Sequence, residues 1–272
     1  MATEFGGVRE KMEPQPISVC LISGAEAHRI ERTLASVHGW AREIVVVLNQ
    51  DVGDGTDRLA ERYGAKVFRE SWKGHVAQKN SAAAKATQPW LLGLDADEVV
   101  TMELRDEIVA LVSQSDPANL CTAYSFPRLS TYAGREIRHG DWYPDRKLRL
   151  WQRGRARWTG INPHDRLETE GSIGRLKGDL LHTSNEDLNH QLAKIRAYSD
   201  DFVRDRRERK RGFSLIETLT RPPWRFFRGY VLRLGFLDGW AGFCISVMTA
   251  FYTFVKYAKL REESGGTSTG AH

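Results

Sequence analysis

Trp90-Leu91-Leu92-Gly93-Leu94-Asp95-Ala96-Asp97-Glu98 is a short apolar run that ends abruptly in three carboxylates. Such a run reads as a buried strand delivering an acidic pair to its carboxyl end. Three β-rich runs precede it, at residues 17–22, 43–49 and 65–70, and helical patterns separate all four. The first helix carries Ile30, Leu34 and Val37 on one face, and the second covers about residues 57–63 and stops at Gly64. The third is the Ala-rich stretch before Pro89. Alternation of strand and helix predicts an α/β fold with a mostly parallel, Rossmann-like sheet flanked by helices. Crossovers in such a sheet are right-handed, and ligands bind beyond the carboxyl ends of the strands. Polar and acidic residues gather at those positions: Ser23-Gly24-Ala25-Glu26, then Asn49 through Thr56, then Asp95 through Glu98.

Two carboxylates one residue apart at the end of a buried strand repel each other unless a cation neutralises them. Mg²⁺ or Mn²⁺ sharing its coordination with a diphosphate would do so, and would also stabilise a departing nucleoside diphosphate. Three other readings of the same residues stay open. One is a solvated acidic turn before a helix capped by Thr101, whose apolar face is Leu104, Ile108, Leu111 and Val112. Asp95 and Asp97 also match the nucleophile and general acid of an aspartyl-phosphate phosphatase, although such enzymes place the motif on the first strand. A nucleotidyltransferase is compatible with the carboxylates alone.

Farther along, residues 124–130 and 147–152 read as strands around a Gly, Tyr and Trp-containing loop near Asp141, and a long charged helix is expected over about 186–210. Composition narrows the setting. Hydrophobic residues make up 41% and charged residues 28%, so the chain is expected to fold. The formal net charge of +5 suits phosphates or an anionic membrane surface. Ten basic residues face three acidic ones between Arg204 and Arg233. No groove-binding motif or repeated aromatic platform accompanies them, which argues against nucleic acid. Cys20, Cys121 and Cys244 are too scattered for a disulfide framework or zinc site, and the N-terminus lacks the apolar stretch of a secretory signal. A cytoplasmic setting is the expectation.

These segments, in this order, resemble the family 2 glycosyltransferases of the GT-A fold, and within them the branch of the lipopolysaccharide core glucosyltransferase WaaE. Residues 17–34 look like that family's first strand and helix, with Gly24-Ala25-Glu26 where Lys-Asn-Glu is usual. Residues 43–56 are similar to its second unit, with Asn49 replacing the first Asp of the pattern while Asp54, Gly55 and Thr56 remain. Trp72-Lys73-Gly74-His75, Gln78-Lys79-Asn80 and Leu94-Asp95-Ala96-Asp97-Glu98 resemble the branch's most specific run.

The resemblance implies an inverting transfer of a sugar, glucose by preference, from a UDP-sugar to a lipopolysaccharide core or other lipid-linked saccharide. It also implies roles. Ser23, Glu26, Asn49, Asp54, Lys79 and Asp95 would surround the nucleotide sugar, with Asn49 at the base, Asp95 nearer the ribose and Lys79 by the diphosphate. Asp97 would ligate the metal; apart from the resemblance, His182 could complete its sphere as a neutral imidazole or be simply structural. Pro163-His164-Asp165 looks like the family's His-Glu pair, so Asp165 would be the base that deprotonates the acceptor hydroxyl. Asp141, Asp145 and Glu98 are rival bases, and Asp165 could instead simply pair with Arg166. Asn80 is open between surface and site. Arg149 and Arg153 could meet phosphate, and Trp142, Tyr143 and Trp158 could stack on sugars or pack in the core.

Residues 240–255 form an apolar, aromatic stretch with Arg225, Arg228 and Arg233 before it and Lys256, Lys259 and Arg261 after it. A span needs about twenty apolar residues, so this stretch is expected to lie in an interface or pack on the domain. Pro222-Pro223 is expected to break the chain just before it. The resemblance includes Gly235-Phe236-Leu237-Asp238-Gly239-Trp240 and implies docking on the cytoplasmic face of the inner membrane. The expected division is a flexible 1–14, a GT-A domain over 15–215, a helical membrane-association segment over 216–262 and a disordered tail over 263–272. A membrane-attached, non-catalytic scaffold is the alternative to an enzyme.

Overall fold

Burial on both faces of β1 (Gln15–Ser23) sets the architecture: Ile17, Val19 and Leu21 enter one apolar cluster, while Cys20 and Ile22 enter another on the opposite face. The computed structural model describes residues 13–114, 120–161, 164–183, 187–209 and 212–265. The termini expected to be flexible, up to residue 12 and from residue 266, lie outside these, as does Pro163.

The first compact unit comprises the described residues up to 128 together with 146–183. After β1 come α1 (Ile30–Val37), β2 (Ala41–Asn49), α2 (Thr56–Arg62), β3 (Lys66–Glu70), α3 (His75–Lys85) and β4 (Trp90–Leu94). Then follow β5 (Glu98–Val100), α4 (Met102–Val112) and β6 (Ala123–Tyr132), whose last four residues belong to the second unit. β7 (Arg135–Glu136) pairs with that end of β6. β8 (Asp145–Gln152), β9 (Ala156–Ile161), β10 (His164–Thr169), β11 (Ile173–Arg175) and β12 (Leu180–His182) complete the strands.

Among the described residues the main sheet runs β3-β2-β1-β4-β8-β6-β12-β5, with β11 beside β6. β3, β2, β1 and β4 are mutually parallel, as the strand-helix alternation predicts, and β8 adds antiparallel to β4. Ile30, Leu34 and Val37 of α1 and Leu104, Ile108 and Leu111 of α4 cover one face with Leu92 and Leu94 of β4. Ala82 of α3 covers the other face, together with Leu91, Trp151 of β8 and Trp158 and Leu167 of the β9–β10 hairpin. Gly93 points to this second face, where a Cβ would lie 3.0 Å from the Trp158 ring and 3.2 Å from Trp151. Thr101 caps α4 as expected, its side chain accepting from Leu104 N.

The second unit comprises residues 129–145 and the described residues after 183. It contains α5 (Leu188–Glu208), α6 (Leu215–Phe227) with a π-helical turn at Arg228–Leu232, a 3₁₀ turn at Gly235–Asp238 and α7 (Gly239–Gly265). The expected boundary at 215/216 falls inside α6, after its first residue, and α5 groups with the helices that follow it: Val203 packs with Tyr257 and Leu260 of α7. Two expectations are corrected here. Pro222 and Pro223 sit inside α6 rather than breaking the chain. Their rings cost the helix two hydrogen bonds, to the carbonyls of residues 218 and 219, while the Ser214 cap on Glu217 N and packing on α7 hold it. The apolar stretch is also not short: a single helical run over 235–263 is long and apolar enough to cross a membrane by length and composition. It continues past Lys256 because Tyr257 and Leu260 stay on the face turned to α5.

Backbone meets backbone where the turns approach α7. A Cβ on Gly242 would fall 1.9 Å from the Gly235 carbonyl oxygen, and one on Gly235 would fall 2.7 Å from that of Gly229. Asp238 is buried and accepts from the backbone N–H of His139 (2.8 Å) and Arg138 (3.3 Å), with His139 Nδ1 at 3.0 Å. Within the Gly235–Trp240 motif, Gly235 and Asp238 therefore serve packing, while Phe236, Leu237 and Trp240 are exposed.

Candidate active site

β4 releases the chain at Asp95 directly over the hairpin face, and two cations meet it there. Arg149 Nη2 lies 2.5 Å from Asp95 Oδ2, and Lys79 Nζ lies 2.8 Å from Asp95 Oδ1. Burial opposes ionisation of Asp95, but Arg149 and Lys79 outweigh it and hold the carboxyl well below the usual carboxylate range. Lys79 is nearly buried and also donates to Asp165 Oδ2 at 2.8 Å, so one ammonium bridges two of the expected residues. Its Nζ stands 4.6 Å from the centroid of Trp158, which Arg149 also approaches at 5.1 Å. Trp158 is thus a buried floor beneath two cations.

The hairpin that carries Asp165 is fastened by Asn80. Its Nδ2 donates to the Trp158 carbonyl (2.9 Å) and its Oδ1 accepts from the Trp158 N–H (3.0 Å). The adjacent residues Lys79 and Asn80 of α3 therefore hold the side chain and the backbone of the same hairpin. Asp165 stands opposite Gly160 in the β9–β10 register. The side chain of His164 lies outside the described residues.

Asp97 faces a separate set. His182 Nε2, at the end of β12, lies 3.5 Å from Asp97 Oδ2, and Arg29 Nη1 lies 3.4 Å from it. Burial again opposes ionisation, but hydrogen bonding and charge from His182, with Arg29 beyond, keep the Asp97 carboxyl below its ordinary value. Arg29 also binds Glu26, with Nη2 to Oε1 at 2.7 Å. Arg29, which no sequence pattern singled out, thus joins Glu26 to Asp97, and Asp97 in turn meets His182.

The loop residues divide by what their atoms already do. Asp54 Oδ1 accepts from the Thr56 N–H and hydroxyl, and Oδ2 accepts from Ala27 N, so this carboxylate clamps the 24–29 loop to the start of α2. Ser23 Oγ donates to the Gly24 carbonyl. Asn49 Oδ1 is buried without a hydrogen-bond partner, and so is Arg149 Nη1. Orphaned polar atoms are costly, and these two leave one acceptor and one cationic donor unspent at the strand ends.

Other candidates lie elsewhere. Glu98 is fully buried, accepting from Asp95 N (2.9 Å) and Arg149 (3.1 Å), so it props the acidic turn. Arg153 is exposed in the turn after β8. Asp141 belongs to the second unit, as does Trp142, which packs edge-on against Tyr132. Arg166 pairs with Glu168 at 2.6 Å. Arg149, one of the two arginines named for phosphate, is a buried ion-pair partner of Asp95 and Glu98 through Nη2. A signal existed, because period two puts Arg149 on the same face as the buried Trp151.

A parallel sheet that ends in Asp-x-Asp, ringed by cations and faced by a carboxylate on a hairpin, defines a GT-A-type glycosyltransferase. The family model described as Glycosyl transferase family 2 matches residues 18–175, and the chain belongs to that family. A glycosyltransferase of Rickettsia bellii is 33% identical over 91% of this chain and 87% of its own length. The lipopolysaccharide core biosynthesis glycosyltransferase LpsC of Rhizobium meliloti is 28% identical over 90% of this chain and 92% of its own. The mannosyltransferase PcManGT of Pyrobaculum calidifontis, solved with GDP-Man and Mn²⁺, shares the fold with a TM-score of 0.52 at 14% identity, covering 93% of this chain and 90% of that one. The phosphatase and scaffold alternatives fall with this assignment.

Proposed function

We propose that the protein transfers a sugar, glucose in the leading form, from a UDP-sugar to a lipopolysaccharide core or similar lipid-linked saccharide with inversion at the anomeric carbon. The observation that carries this reading is the Asp95–Lys79–Asp165 bridge at the carboxyl end of β4, with both Lys79 contacts at 2.8 Å. Asn49 Oδ1 is a buried acceptor suited to a uracil N–H, and Arg149 Nη1 is a buried donor suited to a phosphate oxygen. The likeness to LpsC, a lipopolysaccharide core biosynthesis glycosyltransferase, supports the acceptor class.

The donor set fits a shared metal. Asp97 and His182 offer one carboxylate and one imidazole, and among the described residues no group of three His, Cys, Asp or Glu could hold a cation unaided. Asp97 and His182 would hold Mg²⁺ or Mn²⁺ together with oxygens of the donor's diphosphate, and the cation would supply positive charge to the leaving group. Asp165 would take the acceptor hydroxyl proton as the oxygen attacks the anomeric carbon, and the bond to the diphosphate breaks with its electrons leaving on UDP. Lys79 fixes the Asp165 carboxylate, and Asp54 holds the loop around the nucleotide.

The second unit would attach to the cytoplasmic face of the inner membrane. Trp240, Phe243, Val247, Phe251 and Phe254 follow helical spacing along α7 and are exposed, as are Leu215, Ile216, Leu219, Trp224 and Phe227 of α6. Outward apolar faces with basic flanks suit an interface.

Isothermal titration with UDP, with and without Mn²⁺, tests the donor site. Metal-dependent binding lost in Asp97→Ala supports it, and no binding in either condition refutes the UDP reading. Asp165→Asn should leave UDP binding intact and stop transfer; full transfer by that variant would remove Asp165 as the base.

A further inference from the structure

Three arginines converge on one carboxylate in the second unit. Arg228 Nη1 lies 2.7 Å from Asp141 Oδ1, Arg233 Nη1 lies 3.2 Å from the same oxygen, and Arg225 Nη1 stands 3.7 Å from Oδ2. We propose that Arg225, Arg228 and Arg233, gathered on Asp141, form a binding site for the phosphate of an anionic lipid headgroup.

The charge count leaves two positive charges uncompensated within the cluster. Three guanidiniums also carry far more N–H donors than one carboxylate can accept, so donors remain for a second oxyanion. The side chain of Asp141 is 14% exposed while those of the arginines are 31–44% exposed, so the carboxylate lies inside and the cations open outward. Asp141 thus fixes the guanidiniums of Arg228 and Arg233 by hydrogen bonds to Oδ1, with Arg225 held by charge alone, and does not neutralise the cluster.

Two further observations point to an anion at a membrane surface. Burial chiefly, and then the charges of Arg225, Arg221 and Arg206, push the Lys256 ammonium down to about 8, so these arginines add positive potential on this part of the unit. The residues interleaved with the arginines are exposed and apolar: Trp224, Phe227, Val231, Leu232 and Leu234. A site of this kind suits a ligand whose phosphate sits beside hydrocarbon, which a headgroup provides and a free ion does not. This inference rests on the membrane reading above and names the residues that would select charge within it.

The test is sedimentation of the full chain with vesicles of phosphatidylcholine, alone and mixed with phosphatidylglycerol. Wild type should bind the mixed vesicles more tightly. Arg228→Gln with Arg233→Gln should lose about tenfold or more of that binding. Arg204→Gln with Arg207→Gln, on α5, removes the same net charge and should lose far less. Arg225→Gln alone leaves the two shorter contacts to Asp141 intact and should show a several-fold loss even if the double variant folds poorly, with UDP titration as the check on folding. Equal losses in the two double variants, or none in Arg225→Gln and Arg228→Gln/Arg233→Gln, would overturn the site while leaving membrane attachment standing. Wild type that sediments with neither vesicle would overturn both. Release of wild type from mixed vesicles by millimolar inorganic phosphate would assign the cluster to free phosphate and overturn the headgroup.

Discussion

Asn80→Ala separates the scaffold of the site from its chemistry. Asn80 makes two hydrogen bonds to the Trp158 backbone, at 2.9 and 3.0 Å, in a part-buried position. Each is worth about 1 kcal/mol net, and orphaning the Trp158 N–H and carbonyl adds to the loss, so about 2–3 kcal/mol of stability should go. For a chain of this size that corresponds to a fall of roughly 4–10 °C in the unfolding midpoint. The hairpin carries Asp165, and a misplacement of about 1 Å at a reacting group can cost about 10²-fold in rate. Thermal unfolding, UDP titration and a sugar-transfer assay should therefore show a lowered midpoint, unchanged UDP affinity and transfer reduced about 10²-fold. Asn80→Asp should not rescue it, because one oxygen would face the Trp158 carbonyl. An unchanged midpoint, or UDP affinity that falls in step with transfer, would refute the argument that Asn80 acts by holding the hairpin.

Glu43 is a buried residue of β2 bonded to Ser18, Lys66 and Thr87 N. Burial raises its carboxyl, but those partners outweigh it and bring it down to about 2. A depressed folded value stabilises above the unfolded value and loses that contribution as pH falls through the folded one. Glu43→Gln should thus cost about 2 kcal/mol at neutral pH, a difference that shrinks from about pH 4.5 and vanishes near 2 in urea titrations. A constant difference across that range would show that the charge is not responsible. Trp240→Ser and Ile216→Ser alter side chains that are 75% and 76% exposed, so stability should change by no more than about 0.5 kcal/mol while vesicle binding weakens. A large drop in midpoint would mean that these faces are packed rather than open.

The parallel half of the sheet was legible because its signals are local. The β1 to β4 runs are apolar, the helices between them carry one-sided faces, and the polar clusters follow the strand ends, so Asp95 and Asp97 could be placed at the sheet edge before any contact was seen. Thr101 announced the start of α4 in the same way. Local signals misled where tertiary packing overrode them. Pro222-Pro223 reads as a break, yet packing on α7 keeps α6 helical through both rings. The end of the apolar stretch reads as the end of its helix, yet Tyr257 and Leu260 carry it on against α5.

What the sequence determined by itself is the order of the strands and helices, the acidic motif at the end of β4 and the family to which the chain belongs. Only the tertiary structure decided how the charges pair. Lys79, Asp95 and Asp165 come from three elements, separated by up to 86 residues, and meet on one ammonium. Arg149 reaches Asp95 because β8 runs antiparallel beside β4 and Gly93, one step beyond the Leu92–Leu150 pair, leaves space on that face. Periodicity assigns a side chain to a face, but a pairing across 50 or more residues depends on sheet order and strand register, which no window of sequence contains.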